Sequence, residues 1–104
     1  MKLYHSTSAG DAQAILETRF RDADFMGVAR GVFFADRPLL GFDSVARSAE
    51  VTLEVEPTAA LQDEWELIEE GRPEDAYREW LVPANVANTW PRRMLTEAER
   101  DVLD

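Results

Sequence analysis

Alternation of apolar and polar residues is clearest over Ala49-Glu50-Val51-Thr52-Leu53-Glu54-Val55-Glu56. A period of two predicts a strand, with Val51, Leu53 and Val55 facing the core. Pro57 ends it, because proline cannot donate into a ladder. Leu3 and Tyr4 suit a strand at the start of the chain. Gly31-Val32-Phe33-Phe34-Ala35-Asp36 is a second run of bulky residues, stopped by Asp36 and Pro38. Tyr77-Arg78-Glu79-Trp80-Leu81-Val82 is another strand, stopped by Pro83. Its residues Tyr77, Glu79 and Leu81 share one face, and Arg78, Trp80 and Val82 the other.

A period near 3.6 appears elsewhere. Ala12, Ile15, Leu16 and Phe20 form an apolar stripe, and Ser8 with Asp11 makes an N-terminal cap, so a helix is expected over Ala9–Thr18. Leu61, Trp65 and Ile68 share a helical face, which predicts a helix from about Thr58 to Glu70, ended by Gly71. That helix is expected to be a scaffold, its apolar face buried and its acids in water. Thr96 and Glu99 form a capping box that opens a short C-terminal helix ending near Leu103. Arg21–Gly31 reads as a loop with short extended pieces, in which Phe25 and Met26 pack on the core or close over a ligand. Leu39–Ser48 is mixed. Asn85–Trp90 reads as a short strand or helix.

Composition narrows the function. A chain of 104 residues, 45% of them hydrophobic, predicts one domain over 1–104 with one modest core. There is no signal-peptide pattern and no apolar run of membrane-spanning length, so a cytoplasmic protein without a membrane role is expected. The absence of cysteine excludes disulfides and thiolate metal sites, and the single histidine excludes His-rich zinc patterns. No metal site is expected. The net charge of −10 argues against a nucleic-acid partner, since phosphate contacts need a basic face. The acids Asp63, Glu64, Glu66, Glu69 and Glu70 form either a solvated face or a docking surface for a basic protein.

Two residues carry candidate chemistry. His5 sits at the end of the first strand, followed by the hydroxyls of Ser6 and Thr7. It is either a histidine satisfied within the fold or a hydrogen-bonding group for a ligand. Glu79 is a carboxylate in mid-strand. Such a charge meets water or an arginine at a sheet edge, or else needs partners or a ligand in a buried place.

Three segments in order, Leu3-Tyr4-His5-Ser6-Thr7, Gly31-Val32-Phe33-Phe34-Ala35-Asp36 and Tyr77-Arg78-Glu79-Trp80-Leu81-Val82, resemble the ADP-ribosyltransferase superfamily. The similarity is to its His–Tyr–Glu branch of diphtheria-type toxins and poly(ADP-ribose) polymerases, and it spans residues 3 to about 82. It implies an α+β fold, with a small split antiparallel sheet, peripheral helices and an NAD cleft between the sheet halves. It also implies transfer of ADP-ribose from NAD to an unidentified acceptor, protein or small molecule, by a bacterial toxin-like or regulatory enzyme. Glu79 resembles the catalytic glutamate, and His5 the histidine that orients the dinucleotide through a ribose. Ser6 stands where the family has glycine, whose backbone grips the nicotinamide carboxamide. Thr7 resembles the small hydroxyl residue that follows. Phe33 stands at the signature tyrosine and keeps its stacking face. Tyr77 is not Glu, so the Glu-x-Glu pattern linked to arginine modification is absent. On this resemblance His5, Phe33 and Glu79 should converge on one concave site. Alternatives are a degenerate NAD-binding relative, an NAD-dependent RNA 2′-phosphotransferase-like enzyme, or a non-catalytic acidic module of antitoxin or immunity type. The acidic module would use the Asp63–Glu70 segment and leave the three residues unrelated in space.

Overall fold

The computed structural model describes residues 1–25, 27, 29–38, 50–58, 60–67 and 77–103. Its strands are β1 (Leu3–Thr7), β2 (Ala23–Phe25), β3 (Ala29–Ala35), β4 (Val51–Val55), β5 (Glu66–Leu67), β6 (Glu79–Val82) and β7 (Arg92–Met94). Its helices are α1 (Ala9–Glu17), α2 (Ala84–Ala87) and α3 (Glu97–Leu103). The strands form one antiparallel sheet in the order β5-β6-β3-β1-β4-β7, with β2 also paired to β3. The result is a small α+β domain.

Register assigns the faces, because directly paired residues of antiparallel strands point the same way. Leu3 pairs with Val55, and His5 with Leu53. Phe34 pairs with Trp80, and Val32 with Val82. These apolar side chains join Ala12, Phe20, Ala84, Ala87 and Trp90 in the core. Burying each Leu, Val or Phe of this set contributes about 1.5–3 kcal/mol over exposure. The other face carries Tyr4, Ser6, Thr52, Glu54, Phe33, Ala35, Glu79 and Leu81.

That second face is also covered. Thr52 and Glu54 are both buried, so β4 is not the half-solvated strand that its alternation predicts. Glu54 meets Lys2 at 3.4 Å and Arg93 at 3.2 Å. The inward placement of Leu53 and Val55 agrees with the sequence pattern, and Val51 packs partly buried against the same core.

Helix α1 begins as expected. The Ser8 hydroxyl accepts from the Asp11 amide at 3.2 Å. The capping box of α3 is reciprocal: the Glu99 amide donates to Thr96 Oγ1, and the Thr96 amide to Glu99 Oε1, both at 3.1 Å.

The expected helix over Thr58–Glu70 is replaced, within residues 60–67, by a 3-10 turn at Asp63–Trp65 and the strand β5. Glu66 and Leu67 pair with Trp80 and Glu79 of β6, and Arg78 grips the Glu66 carboxylate with two bonds of 2.8 and 3.0 Å. An acidic helix without internal cations gains no i,i+4 support, whereas the strand gains ladder bonds and an arginine fork. Leu61 and Trp65 still pack on the core, through a turn rather than a helical stripe. Ile68, Glu69, Glu70 and Gly71 lie outside the described residues, as do Met26 and the Leu39–Ser48 stretch.

The expected Arg21–Gly31 loop contains β2, which forms a hairpin with a longer β3. Gly27, at φ +74°, adopts the left-handed conformation within the turn. Residues 84–87 form helix α2, and Arg92–Met94 adds a strand that the periodicity did not predict.

Candidate functional site

The site begins where the sheet is weakest. Strands β1 and β4 pair over five positions, but β1 and β3 share only the pair Tyr4 and Ala35. Beyond that pair the two strands no longer run in register, and a side chain takes over. His5 Nδ1 donates to the Phe33 carbonyl at 2.7 Å. A carbonyl only accepts, so Nδ1 carries the proton and Nε2 of the neutral ring is an acceptor.

The His5 ring stands edge-on to Phe20 (centroids 5.6 Å apart, planes at 90°) and tilts against Phe34 at 5.8 Å. Burial lowers its pKa from 6.5, against smaller upward pulls from the Phe33 carbonyl and Asp11. The imidazole is therefore neutral at pH 7.

A cleft of about 590 Å³ opens here, lined by His5, Ser6, Thr7, Phe33 and Glu79, with Arg19, Phe20 and Arg21 among its other walls. The residues singled out in the sequence thus lie around one concavity. They do not reach it from one face. Ala35 pairs with both Tyr4 and Glu79, which puts Phe33 and Glu79 on the Tyr4 face and His5 on the core face. His5 therefore lies on the face of the sheet opposite to Phe33 and Glu79, which corrects the expectation that the three side chains converge on one concave site, although all three residues border the cleft. The cause is parity: His5 is one residue from Tyr4 in β1, while Phe33 is two residues from Ala35 in β3. The cleft draws on both faces beside the short β1–β3 pairing.

Glu79 opens β6 and is 5% exposed. The Asp36 amide donates to the Arg78 carbonyl at 3.0 Å, and the Arg78 amide donates to Asp36 Oδ1 at 3.2 Å, fixing the backbone just before it. Phe33 is half-buried and diagonal to Glu79 across the β3–β6 pairing. The Ser6 hydroxyl lies 3.1 Å from that of Thr52. Thr7 is buried.

The chain after α1 forms another wall, and sequence reading did not assign it to the site. Asn88 holds Phe20 from both sides: its Oδ1 accepts from the Phe20 amide at 2.7 Å, and its Nδ2 donates to the Phe20 carbonyl at 3.1 Å. Asp22 Oδ1 accepts from the Ala84 amide at 2.9 Å. These anchors fix the backbone that carries Arg19 and Arg21. The available signal was the pair of arginines flanking one aromatic residue in a strongly acidic chain.

Among the described residues no cluster of three or more His, Asp or Glu is placed to hold a metal ion. No helix among them is long and apolar enough to cross a membrane. No family model, curated protein or solved structure matches the chain.

Proposed function

We propose that this chain transfers ADP-ribose from NAD to an acceptor, as a small toxin-like or regulatory transferase of the His–Tyr–Glu type. The observation that supports this reading is the common cleft of His5, Ser6, Thr7, Phe33 and Glu79, which come from three strands distant in sequence. Its volume falls in the ~300–1,000 Å³ range of small-molecule sites.

In the proposed reaction the bond between ribose C1′ and the nicotinamide nitrogen breaks, and its electron pair leaves with nicotinamide. Positive charge grows on the ribose, and the Glu79 carboxylate stabilises it. The acceptor's nucleophile then bonds to C1′ and gives its proton to Glu79, which returns it to water. The Phe33 ring supports the flat nicotinamide. Neutral His5 accepts a ribose hydroxyl at Nε2. The backbone of Ser6 and the hydroxyl of Thr7 serve the carboxamide end. NAD is the substrate, and no resident cofactor or metal is invoked.

The packing of His5 between Phe20 and Phe34 favours a second reading, in which the histidine chiefly holds β1 to β3 and the cleft binds NAD without turnover. Glu79→Gln separates the two. A carboxylate that acts mainly in the transition state affects rate more than ground-state affinity. The expected result is near-normal NAD binding by calorimetry, with nicotinamide release falling on the order of 10²–10³-fold. Equal release by wild type and variant, in lysate supplying acceptors, leaves the binding-only reading. No NAD binding by wild type overturns both.

A further inference from the structure

We infer that Arg19 and Arg21 form a phosphate-binding station in the cleft, built for the diphosphate of a small nucleotide. Most cations of this acidic chain that the structure describes are committed to partners within the fold. Lys2 and Arg93 meet Glu54, Arg93 also meets Glu99, and Arg78 meets Glu66. Arg100 donates to the Glu50 carbonyl at 3.1 Å, and Arg92 to the Thr18 carbonyl at 3.0 Å. Arg19 and Arg21 line the cleft and are exposed, and among the described residues neither has a carboxylate within ion-pair reach. Arg30, Arg92 and Arg100 also lack a carboxylate within that reach among the described residues, but of the described arginines only Arg19 and Arg21 line the cleft.

Their place just after α1 suggests a plainer role, offsetting the negative end of the helix dipole. That role is already filled. Arg92 takes the Thr18 carbonyl, and the Thr18 hydroxyl and amide both donate to the Ala14 carbonyl, at 2.6 and 2.9 Å. Arg92 also lies over the Phe20 ring at 5.4 Å.

The segment carrying the two arginines is held before any ligand arrives. Asn88 clamps Phe20 between them and Asp22 is tied to Ala84, so little backbone order remains to be gained on binding. The cleft also contains Asp11, Asp24 and Glu79. Asp24 stands directly opposite Arg30 in the β2–β3 register. Two guanidinium forks match a diphosphate by paired hydrogen bonds. The surrounding negative charge repels a long polyanion, which restricts the ligand to a small phosphate compound rather than a nucleic-acid strand. The station deepens the dinucleotide reading and rests on it for the identity of the attached nucleosides.

The test is calorimetric binding of ADP and inorganic pyrophosphate to wild type, to R19Q/R21Q, to the charge-keeping R19K/R21K and to R30Q, an exposed arginine outside the cleft. Unchanged melting temperatures establish that the variants fold. The expected result is ADP binding that weakens with added salt and drops about tenfold for each arginine neutralised. R19K/R21K should recover part of it, and R30Q should match wild type. No binding of either probe to wild type, or equal ADP binding by wild type and R19Q/R21Q, overturns the station. NAD binding that survives R19Q/R21Q overturns the station and leaves the transferase reading standing. Arginine-dependent ADP binding without nicotinamide release from NAD supports the station and removes the transferase reading.

Discussion

His5 joins a structural bond to a place in the cleft wall, and its protonation works against the fold. Its folded pKa is depressed by burial below the ordinary 6.5. The unfolded chain therefore binds the proton more readily, and stability decreases as pH is lowered through that window. The contribution is fully present above pH 6.5 and is lost as pH falls through the depressed folded value. His5→Asn keeps a donor for the Phe33 carbonyl and removes the titration. Thermal melts should show wild type losing stability below pH 6.5, with a flatter profile in the variant. Identical profiles would mean that the ring is solvated rather than packed between Phe20 and Phe34. At this scale the sequence marks His5 and Glu79 as residues capable of chemistry but does not say where they point. One step of parity between β1 and β3 decides that His5 faces the core while Glu79 does not, and parity follows from register, which pairs positions far apart in the chain.

Elements whose signals are local were the legible ones. Ser8 and Asp11 start α1, and Thr96 and Glu99 start α3, because a cap is made within a few residues of itself. The segment from Leu61 to Leu67 was misread because its period suited a helix while its partners lay elsewhere. The Arg78 fork on Glu66 and the edge of β6 make it a turn and a strand. Strand β7 was missed for the same reason, since Arg92-Arg93-Met94 has no alternating pattern and is held by pairing with β4. The apolar anchors of the misread segment nonetheless keep a structural task. Trp65 is partly buried against the core. Trp65→Ala should lower the melting temperature, at a cost below the ~3–5 kcal/mol of a fully buried tryptophan. A variant that melts like wild type would make the turn a free surface rather than a support for β6.

Across the whole molecule the decisive feature is the single registered pair between β1 and β3. It divides the sheet into β1-β4-β7 on one side and β2-β3-β6-β5 on the other, and the cleft lies beside the join. The resemblance implies a split sheet, whereas the strands form one antiparallel sheet, and the walls contributed by Arg19, Phe20 and Arg21 needed the tertiary clamp at Asn88 to become visible. The division also governs how the chain can fold. Neither side is a continuous piece of sequence: β1 waits for β4 and then β7, and β3 waits for β6. Pairings such as Tyr4 with Glu54 and Leu53 with Met94 close long loops before they are rewarded. Refolding from denaturant, followed by tryptophan fluorescence, should therefore fall in the slow range of about milliseconds to seconds, rather than the microseconds of a helical bundle. During synthesis, β3 has no β6 to pair with until residues 79–82 emerge, and β4 keeps an open edge until residues 92–94 follow. The nascent chain thus exposes unpaired strand edges until residues 92–94 have emerged, and in that interval aggregation competes with folding.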